Sequence, residues 1–485
     1  MRYLFISIIL LISLVKNAYS QSFFHNFNSS EEFVDEYNTY LNSYNIKNYH
    51  SAIYPHFKQN NEKINNQLDI NLLHDLSIGG DNKNIIYNSL LGISADYSLN
   101  NKLSANYSFI VGINKFPNYL SILSDSIKYI AGAGDFKKSG ENYKMFYQEF
   151  YLNYNCTPYL NFIFGKGKKF IGDGFRSMFL SESNSGMYYF DTHVNIDNFK
   201  YIFSVNYSKS LDTENNHNRS KYFIYHLISW NLTKNINLGG FEAVVLSRRD
   251  SLDNSKFVDL HYINPVLFLR PIEYSLGSPD NVLMGIFGKI TIKKLHFLYG
   301  QVMLDEFNSS FLKGGKDWWA DKFSYQLGAK GYINNFLYRI EYNFIRPYMY
   351  SHENAITSYT MFSQPIAHPF GANLKEYVAQ LRYVKNKFDF NLIVDYVKYG
   401  SDFDTISYGN NILRSYVLRK NDYDNYILQG KLNKLVDISF TTKYQLIKNK
   451  NIFAYLSLVY RRETENNYFI QLGFKTDRFF FDRNI

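Results

Sequence analysis

The 485-residue chain has one cysteine, nine prolines and, beyond its first residues, no long run of apolar side chains. A single cysteine excludes a fold that depends on disulfides within the chain. The lack of apolar runs, together with a mean hydropathy of −0.31, excludes a bundle of membrane-spanning helices, because each such helix needs about 20 apolar residues. Proline-rich and serine-rich linkers are also missing, so one continuous unit is expected after the N-terminal region.

Aromatic residues are abundant instead, with 45 tyrosines and 42 phenylalanines. They alternate with Asn, Ser and Lys, and the pattern is clearest where Ile93, Ala95 and Tyr97 share one face while Ser94 and Asp96 share the other. A period of two is that of a β-strand. Apolar residues that face lipid and alternate with polar residues that face a lumen are typical of outer-membrane barrels. The sequence therefore predicts an all-β fold, a large antiparallel transmembrane β-barrel.

Turn-like segments set the expected number of strands. Outer-membrane barrels combine short periplasmic turns, longer outer loops and an even number of strands. Eight short turns therefore predict about 18 strands and about nine outer loops, although 16 to 20 strands remain compatible with the pattern. The short turns rich in Asn, Lys or Pro lie near residues 101, 157, 197, 234, 293, 334, 386 and 449, and the longest connections at 114–142, 248–280, 347–375 and 399–433.

The N-terminus has the pattern of a secretory signal peptide. Residues 1–20, MRYLFISIILLISLVKNAYS, combine a basic start, an apolar centre and small residues at Ala18 and Ser20. Cleavage is expected before Gln21. An exported barrel of this size is expected in the cell outer membrane.

A separate segment is predicted between the signal peptide and the barrel. Residues 21–66 contain a capping box formed by Ser29 and Glu32, followed by an apolar stripe at helical spacing. This periplasmic helical or plug segment is expected to lie across or partly inside the barrel base. The alternative is a frayed N-terminal leader that does not form a stable helix. Residues 67–485 then form the outer-membrane barrel.

Four ordered sequence blocks stand out along the chain: GKGKKFIGDGFRSMFLS (165–181), GGFEAVVLSRR (239–249), YINPVLFLRPIEYSLGSPDN (262–281) with YGQVMLDEF (299–307), and RPYMYSHENAITSY (346–359) with SQPIAHPFGANLKEY (363–377). Together they resemble the Wzi-type capsule-assembly family of outer-membrane β-barrels, in particular the branch associated with gliding motility. The match runs over most of the mature chain. The resemblance implies a large outer-membrane barrel with a helical periplasmic element, and a role in holding or assembling surface polysaccharide.

These blocks fall in or beside predicted outer loops, where Gly, Pro and paired charges predict folded structure. We expect the loops to fold inward over the lumen, with arginine–carboxylate pairs that are partly buried. Two interpretations stay open: the residues brace the loops, or they also contact polysaccharide. For the aromatic residues, a place in the membrane-interface girdle is the further alternative. The candidate residues are Asp173, Arg176, Arg270, Glu273, Asp305, Trp318, Trp319, Arg346, His368, Asn373 and Glu376.

Four classes of function are compatible with an exported barrel: polysaccharide binding, a solute pore, a structural or adhesion part of a motility or secretion machine, and an outer-membrane enzyme. Ser363, His368 and Glu376 lie close in sequence, but no nucleophile motif accompanies them, so no enzymatic activity is predicted. No HExxH motif, calcium loop or phosphate-binding glycine motif is present, so neither a metal site nor a cofactor is expected.

The charge of the chain bears on its partners. A formal net charge of +9 suits phosphate-bearing lipid headgroups or acidic glycans better than nucleic acid in this compartment. The expected partners are therefore outer-membrane lipid and surface polysaccharide, with motility or secretion proteins as the alternative. No nucleic-acid partner is expected.

Overall fold

The computed structural model describes residues 50–53, 67–82, 84–99, 102–212, 217–247, 262, 280–293, 295–305, 317–447 and 452–476. The predicted signal peptide and amphipathic segment lie outside the described residues. Two of the candidate site residues, Arg270 and Glu273, do so as well, and their predicted roles stay predictions.

Strands are the main secondary structure of the described residues. They contain one α-helix, α1 (Asn118–Ile127), and two 3-10 turns at Ala355–Thr357 and Tyr416–Leu418. The strands are β1 (Gln67–Gly80), β2 (Ile85–Leu99), β3 (Leu103–Lys115), β4 (Phe136–Ser139), β5 (Asn142–Asn155), β6 (Leu160–Gly167), β7 (Met187–Ile196), β8 (Phe199–Asp212), β9 (His217–Asn231), β10 (Ile236–Ser247), β11 (Asn281–Ile292), β12 (His296–Asp305), β13 (Lys322–Ile333), β14 (Phe336–Ile345), β15 (Thr360–Met361), β16 (Gln364–Pro365), β17 (Leu374–Lys385), β18 (Phe388–Ser401), β19 (Lys431–Ile447), β20 (Ile452–Arg462) and β21 (Asn466–Thr476).

Eighteen of these strands form a closed antiparallel barrel, which confirms the predicted fold class and strand number. Each pairs with its neighbour along the chain, and β1 pairs with both β2 and β21, so no strand edge is left open. The other three strands are short. β4 pairs with the outer end of β5, and β15 and β16 form a separate hairpin inside the long connection between β14 and β17.

All eight predicted short turns join barrel strands at one end of the barrel. Four of them contain a residue with φ between 49° and 56°: Asp197, Lys293, Asn334 and Asn386. Asp and Asn tolerate this left-handed conformation, which tight hairpin turns require. The other nine connections lie at the opposite end, and six of them are 16 residues or longer. That end is therefore the outer one, and the short turns are periplasmic.

The outer wall of the barrel is apolar and its lumen is polar along β2, where Leu91 and Tyr97 are exposed while Ser94 and Asp96 are buried inside. Aromatic pairs ring the wall at both ends, including a stacked Phe199–Trp230 pair at the short-turn end. An apolar wall bordered by aromatic girdles is what an outer-membrane barrel presents to lipid, and the protein is located in the outer membrane. Among the described residues, no helix is long and apolar enough to cross a membrane.

The lumen holds a packed apolar core. The β6–β7 loop (residues 168–186) and the β14–β17 connection (residues 346–373) contribute buried side chains that pack against residues of the surrounding wall. Helix α1 packs against lumenal residues of β1, β2 and β3 in a second cluster. From the loops, the first cluster includes Ile171, Met178, Phe179, Leu180, Met349, Tyr350, Tyr359, Met361 and Ile366; from the wall, it includes Phe223, Phe241, Leu283, Leu374 and Val397.

One outer connection places a side chain on the opposite side of the wall. Tyr262, the only described residue between 248 and 279, packs with Ile224, Val244 and Val282, which alternate with lumenal residues and therefore point outward. All four are buried. The inward placement expected for this block is wrong at Tyr262. The reason is that β10 is buried on both faces, as its continuous apolar run AVVL indicates.

Candidate functional site

Arg176 spans the lumen. It lies in the β6–β7 loop, and its guanidinium pairs with carboxylates on β17 and β18, nine strands away around the barrel. Its Nε donates to Glu376 Oε1 at 3.0 Å and its Nη2 to Asp395 Oδ2 at 3.1 Å. All three side chains are almost fully buried, and the phenyl rings of Phe175 and Phe370 flank the guanidinium. The loop is thereby fixed to the opposite wall.

The carboxylate of Glu376 joins two outer loops. Whereas Arg176 contacts Oε1, Oε2 accepts a hydrogen bond from Asn343 Nδ2 at 2.6 Å and lies 2.7 Å from His368 Nε2. His368 belongs to the β14–β17 connection, so both lumenal loops contact the same wall residue, Glu376. The structure thus brings together three predicted site residues, Arg176, His368 and Glu376.

Glu341 holds the backbone of the same loop. Its two carboxylate oxygens accept the N–H groups of Phe175 and Arg176 at 2.7 and 3.0 Å, and one also accepts the Tyr299 hydroxyl at 2.9 Å. This close approach needs a glycine at position 174. A Cβ there would lie 2.7 Å from the side-chain oxygen of Gln326 and closer still to the Glu341 carboxylate.

Sequence reasoning missed Glu341 and Asp395. Both lie within strands, at lumen-facing positions, whereas candidates were sought in loops. A charged residue inside the apolar run LIVDYV was the available signal for Asp395. Asp395 also has a charged neighbour on the next strand. It is directly opposite Asp437, which pairs with Arg461 at 3.3 Å.

Other predicted residues brace the same loops. Asp305 accepts the Tyr350 N–H at 2.8 Å and pairs with the Lys322 ammonium at 3.1 Å. Asp173 lies 3.9 Å from the Lys330 ammonium. At the start of the β6–β7 loop, Lys169 donates to Asp191 at 2.7 Å, and burial lowers the pKa of Lys169 while the charge of Asp191 opposes that shift.

Asn373 fixes a third outer connection, the β18–β19 loop (residues 402–430). Its Nδ2 group donates to the carbonyls of Gly400, Tyr408 and Gln429 at 2.7 to 3.2 Å, and its Oδ1 accepts the Leu428 N–H at 2.7 Å. The side chain adopts this position from a backbone with φ of 55°. Asn373 is therefore a bracing residue, and it lies fully buried.

The tryptophan pair lies on the outer surface. Trp318 and Trp319 are both half-buried and meet edge to face, with ring centroids 6.0 Å apart. The Trp319 ring is already enclosed, with Tyr416 at 4.6 Å and the Arg419 guanidinium at 4.2 Å. Arg346 lies beneath them and donates to the Trp318 and Asp321 carbonyls, so it supports this surface.

Exposed tyrosines extend this aromatic surface. The chain around residues 422–425 runs beside the tryptophans, because Trp319 N donates to the Asp422 carbonyl and Asn425 N to the Asp317 carbonyl, both at 2.9 Å. Tyr423 and Tyr426 are 59% and 61% exposed, far more than the enclosed Trp319. We call Trp318, Trp319, Tyr416, Tyr423 and Tyr426 the outer aromatic surface.

A short stretch before β1 lies inside the lower lumen. His50 Nδ1 is 2.7 Å from Ser229 Oγ, and the Ala52 carbonyl accepts the N–H of Gly172 in the β6–β7 loop at 2.9 Å. Burial, with the charges of Lys200 and Lys289 added, lowers the pKa of His50 to about 3. His50 is therefore neutral at pH 7. Among the described residues, no group of three or more His, Cys, Asp or Glu side chains is arranged to hold a metal ion.

Comparison with known proteins identifies the fold. No protein-family model matches the chain, and no curated protein matches it in sequence. Among solved structures, it matches Wzi of Escherichia coli, an outer membrane protein involved in group 1 capsule assembly and a carbohydrate binding beta-barrel, with a TM-score of 0.55, 12% sequence identity and coverage of 84% of each chain. The chain is similar in fold to Wzi.

More distant matches include two proteins of Pseudomonas aeruginosa. OprD matches with a TM-score of 0.45 and 9% identity over 85% of this chain and 96% of its own. OpdK, whose structure contains vanillate, matches with a TM-score of 0.46 and 8% identity over 84% of this chain and 98% of its own. The fold expected from the sequence resemblance is confirmed, and its gliding-motility association stays a prediction.

Proposed function

We propose that this protein is a non-enzymatic outer-membrane barrel that binds surface polysaccharide at its outer loops and so helps to retain or assemble it. The observation that carries the proposal is the packed core inside the barrel. Loops joined by buried apolar contacts and by the Arg176–Glu376 pair form a solid outer end rather than a wide opening. A solid end provides a fixed surface for a large ligand, whereas a pore needs an open channel.

The outer aromatic surface is the proposed binding site. Aromatic faces contact the apolar faces of sugar rings, and nearby polar groups supply the hydrogen bonds that fix their orientation. Tyr423, Tyr426 and the partly exposed ring of Trp318 provide the aromatic faces, and the exposed carboxylates of Asp317 and Asp422 provide the polar groups. The likeness in fold to Wzi, a carbohydrate binding beta-barrel, supports the proposal.

Binding of isolated surface polysaccharide to the purified protein tests this site. Replacing Trp318, Tyr423 and Tyr426 by alanine should weaken binding at least tenfold, because aromatic anchors dominate such contacts. Tyr159→Ala is the matched control, since Tyr159 is equally exposed, at 61%, in a periplasmic turn. Equal affinity of the triple variant and the control would contradict the proposed site.

The two other functions lead to different results. A solute pore predicts a steady conductance of the wild-type protein in planar bilayers that polysaccharide does not affect. If the protein is instead part of a motility or secretion machine, defined partner proteins should co-purify with it, and its deletion should leave cell-bound polysaccharide unchanged.

A further inference from the structure

Three lysines lie side by side on the outward face of the barrel, at its outer rim. Lys375 of β17 is directly opposite Lys398 of β18, which is directly opposite Lys434 of β19. Directly opposed residues project to the same face of a sheet. Their chain neighbours Glu376 and Leu435 are buried in the lumen, so the three lysines point away from it.

No carboxylate among the described residues neutralises this lysine row. Like charges directly opposite each other destabilise a sheet, so an uncompensated row of three is costly without a ligand. Within the described part of the chain, none of the three forms an ion pair with a carboxylate. Elsewhere on the outer rim, by contrast, Lys115 pairs with Glu141 and Lys138 with Asp125.

The row lies directly above the outer aromatic girdle. Tyr377 and Tyr396 are the next outward residues below Lys375 and Lys398, and their rings lie 6.3 Å apart. The Lys398 ammonium lies 5.4 Å from the Tyr396 ring centre. Aromatic girdles mark the boundary between the apolar lipid chains and the headgroups. The three ammonium groups therefore lie at headgroup level.

We propose that the lysine row binds the phosphate groups of an outer-leaflet lipid headgroup, of the kind that lipid A carries. Three ammonium groups supply point charges and hydrogen-bond donors that match clustered phosphate oxygens. The side chains face the surrounding membrane and not the mouth of the barrel, which favours a lipid over a soluble acidic polysaccharide. This inference is independent of the outer aromatic surface and of the proposed function.

Lipid A binding to the purified full-length protein in detergent tests the inference. The probe is lipid A with two phosphates, compared with the same lipid after removal of its phosphates. We expect the wild type to prefer the phosphorylated lipid, with a preference that falls as salt rises. Lysine contributions near anionic headgroups predict about a fivefold loss per lysine, and about a hundredfold loss for the variant K375Q/K398Q/K434Q.

The control K102Q/K385Q/K387Q changes the same number of charges at exposed positions of the periplasmic end, and should bind lipid A like the wild type. Heat-modifiable migration on electrophoresis establishes that each variant folds. Equal lipid A binding by the two triple variants would overturn the inference. The inference would also be overturned if the wild type bound dephosphorylated and phosphorylated lipid A equally. The same holds if K375Q/K398Q/K434Q lost polysaccharide binding while its lipid A binding stayed intact.

Discussion

Replacing Arg176 by methionine removes the guanidinium that connects the β6–β7 loop to the opposite wall. The methionine retains most of the aliphatic volume, so the main change is the loss of two charged contacts. Glu376 keeps Asn343 and His368, but Asp395 loses its guanidinium partner. The variant thus leaves negative charge buried without its main counter-charge.

The magnitude follows from this burial. Removing one partner of a buried ion pair costs about 3–5 kcal/mol, because the other charge stays desolvated. At about 1.4 kcal/mol per factor of ten, the opening equilibrium of the loop should rise by roughly two to four orders of magnitude. Adding Glu376→Gln to the variant removes one of the two carboxylates that lose the guanidinium. The double variant should therefore be less destabilised than the sum of the two single variants.

Hydrogen–deuterium exchange of the protein in lipid vesicles measures this opening directly. Protection should fall in the β6–β7 loop and in the connection that carries His368, while the strands of the wall away from the pair keep theirs. Arg462→Met is the control, because Arg462 is exposed at the rim and pairs with no carboxylate in the described part of the chain. Unchanged protection of the loop in Arg176→Met would refute the reasoning that this ion pair holds the loop.

Three further outcomes are expected. Gly174→Ala should loosen the same loop by about 1–3 kcal/mol through overpacking against Glu341, whereas Gly240→Ala, whose Cβ would meet only an Ile228 methyl group at 3.5 Å, should change exchange little. Asn373→Ala should lower protection of the β18–β19 loop by about 2–4 kcal/mol, since it leaves buried backbone groups unpaired, and an effect spread over the whole barrel would contradict that role. His50 has a lowered pKa when folded, so the released state binds more protons, and the lumenal segment should lose about 1.4 kcal/mol per pH unit as pH falls from 6.5 toward 3. His50→Asn should abolish that part of the pH dependence of exchange; a variant that keeps the full dependence would show that other groups cause it.

The barrel could be predicted in detail because its signals are local. A period of two, and Asn, Asp or Lys at left-handed turn positions such as Asn334 and Asn386, determine where each strand ends. An even number of strands then allows the first and last strands, β1 and β21, to close the barrel as antiparallel neighbours. The strands on either side of all eight predicted turn positions pair as neighbours for that reason.

The contacts of the site could be predicted only in part, because they join distant parts of the chain. Arg176 and His368 are recognisable as polar residues in structured loops, but their common partner depends on the register of β14, β17 and β18. Glu341 and Asp395 are 165 and 219 residues from Arg176, and no local pattern pairs them. Tyr262 shows the same limit, since the side of the wall it covers is set by packing over several strands.

The central claim is that the closed outer end of the barrel holds polysaccharide at the cell surface. The most direct test is the partition of surface polysaccharide between cells and medium in a deletion strain that expresses either the wild type or the alanine variant of Trp318, Tyr423 and Tyr426. The account predicts that the deletion strain sheds polysaccharide while its total synthesis is unchanged. It predicts that the wild type restores retention and the variant does not, at equal amounts of folded protein. An unchanged cell-bound fraction in the deletion strain would contradict the claim.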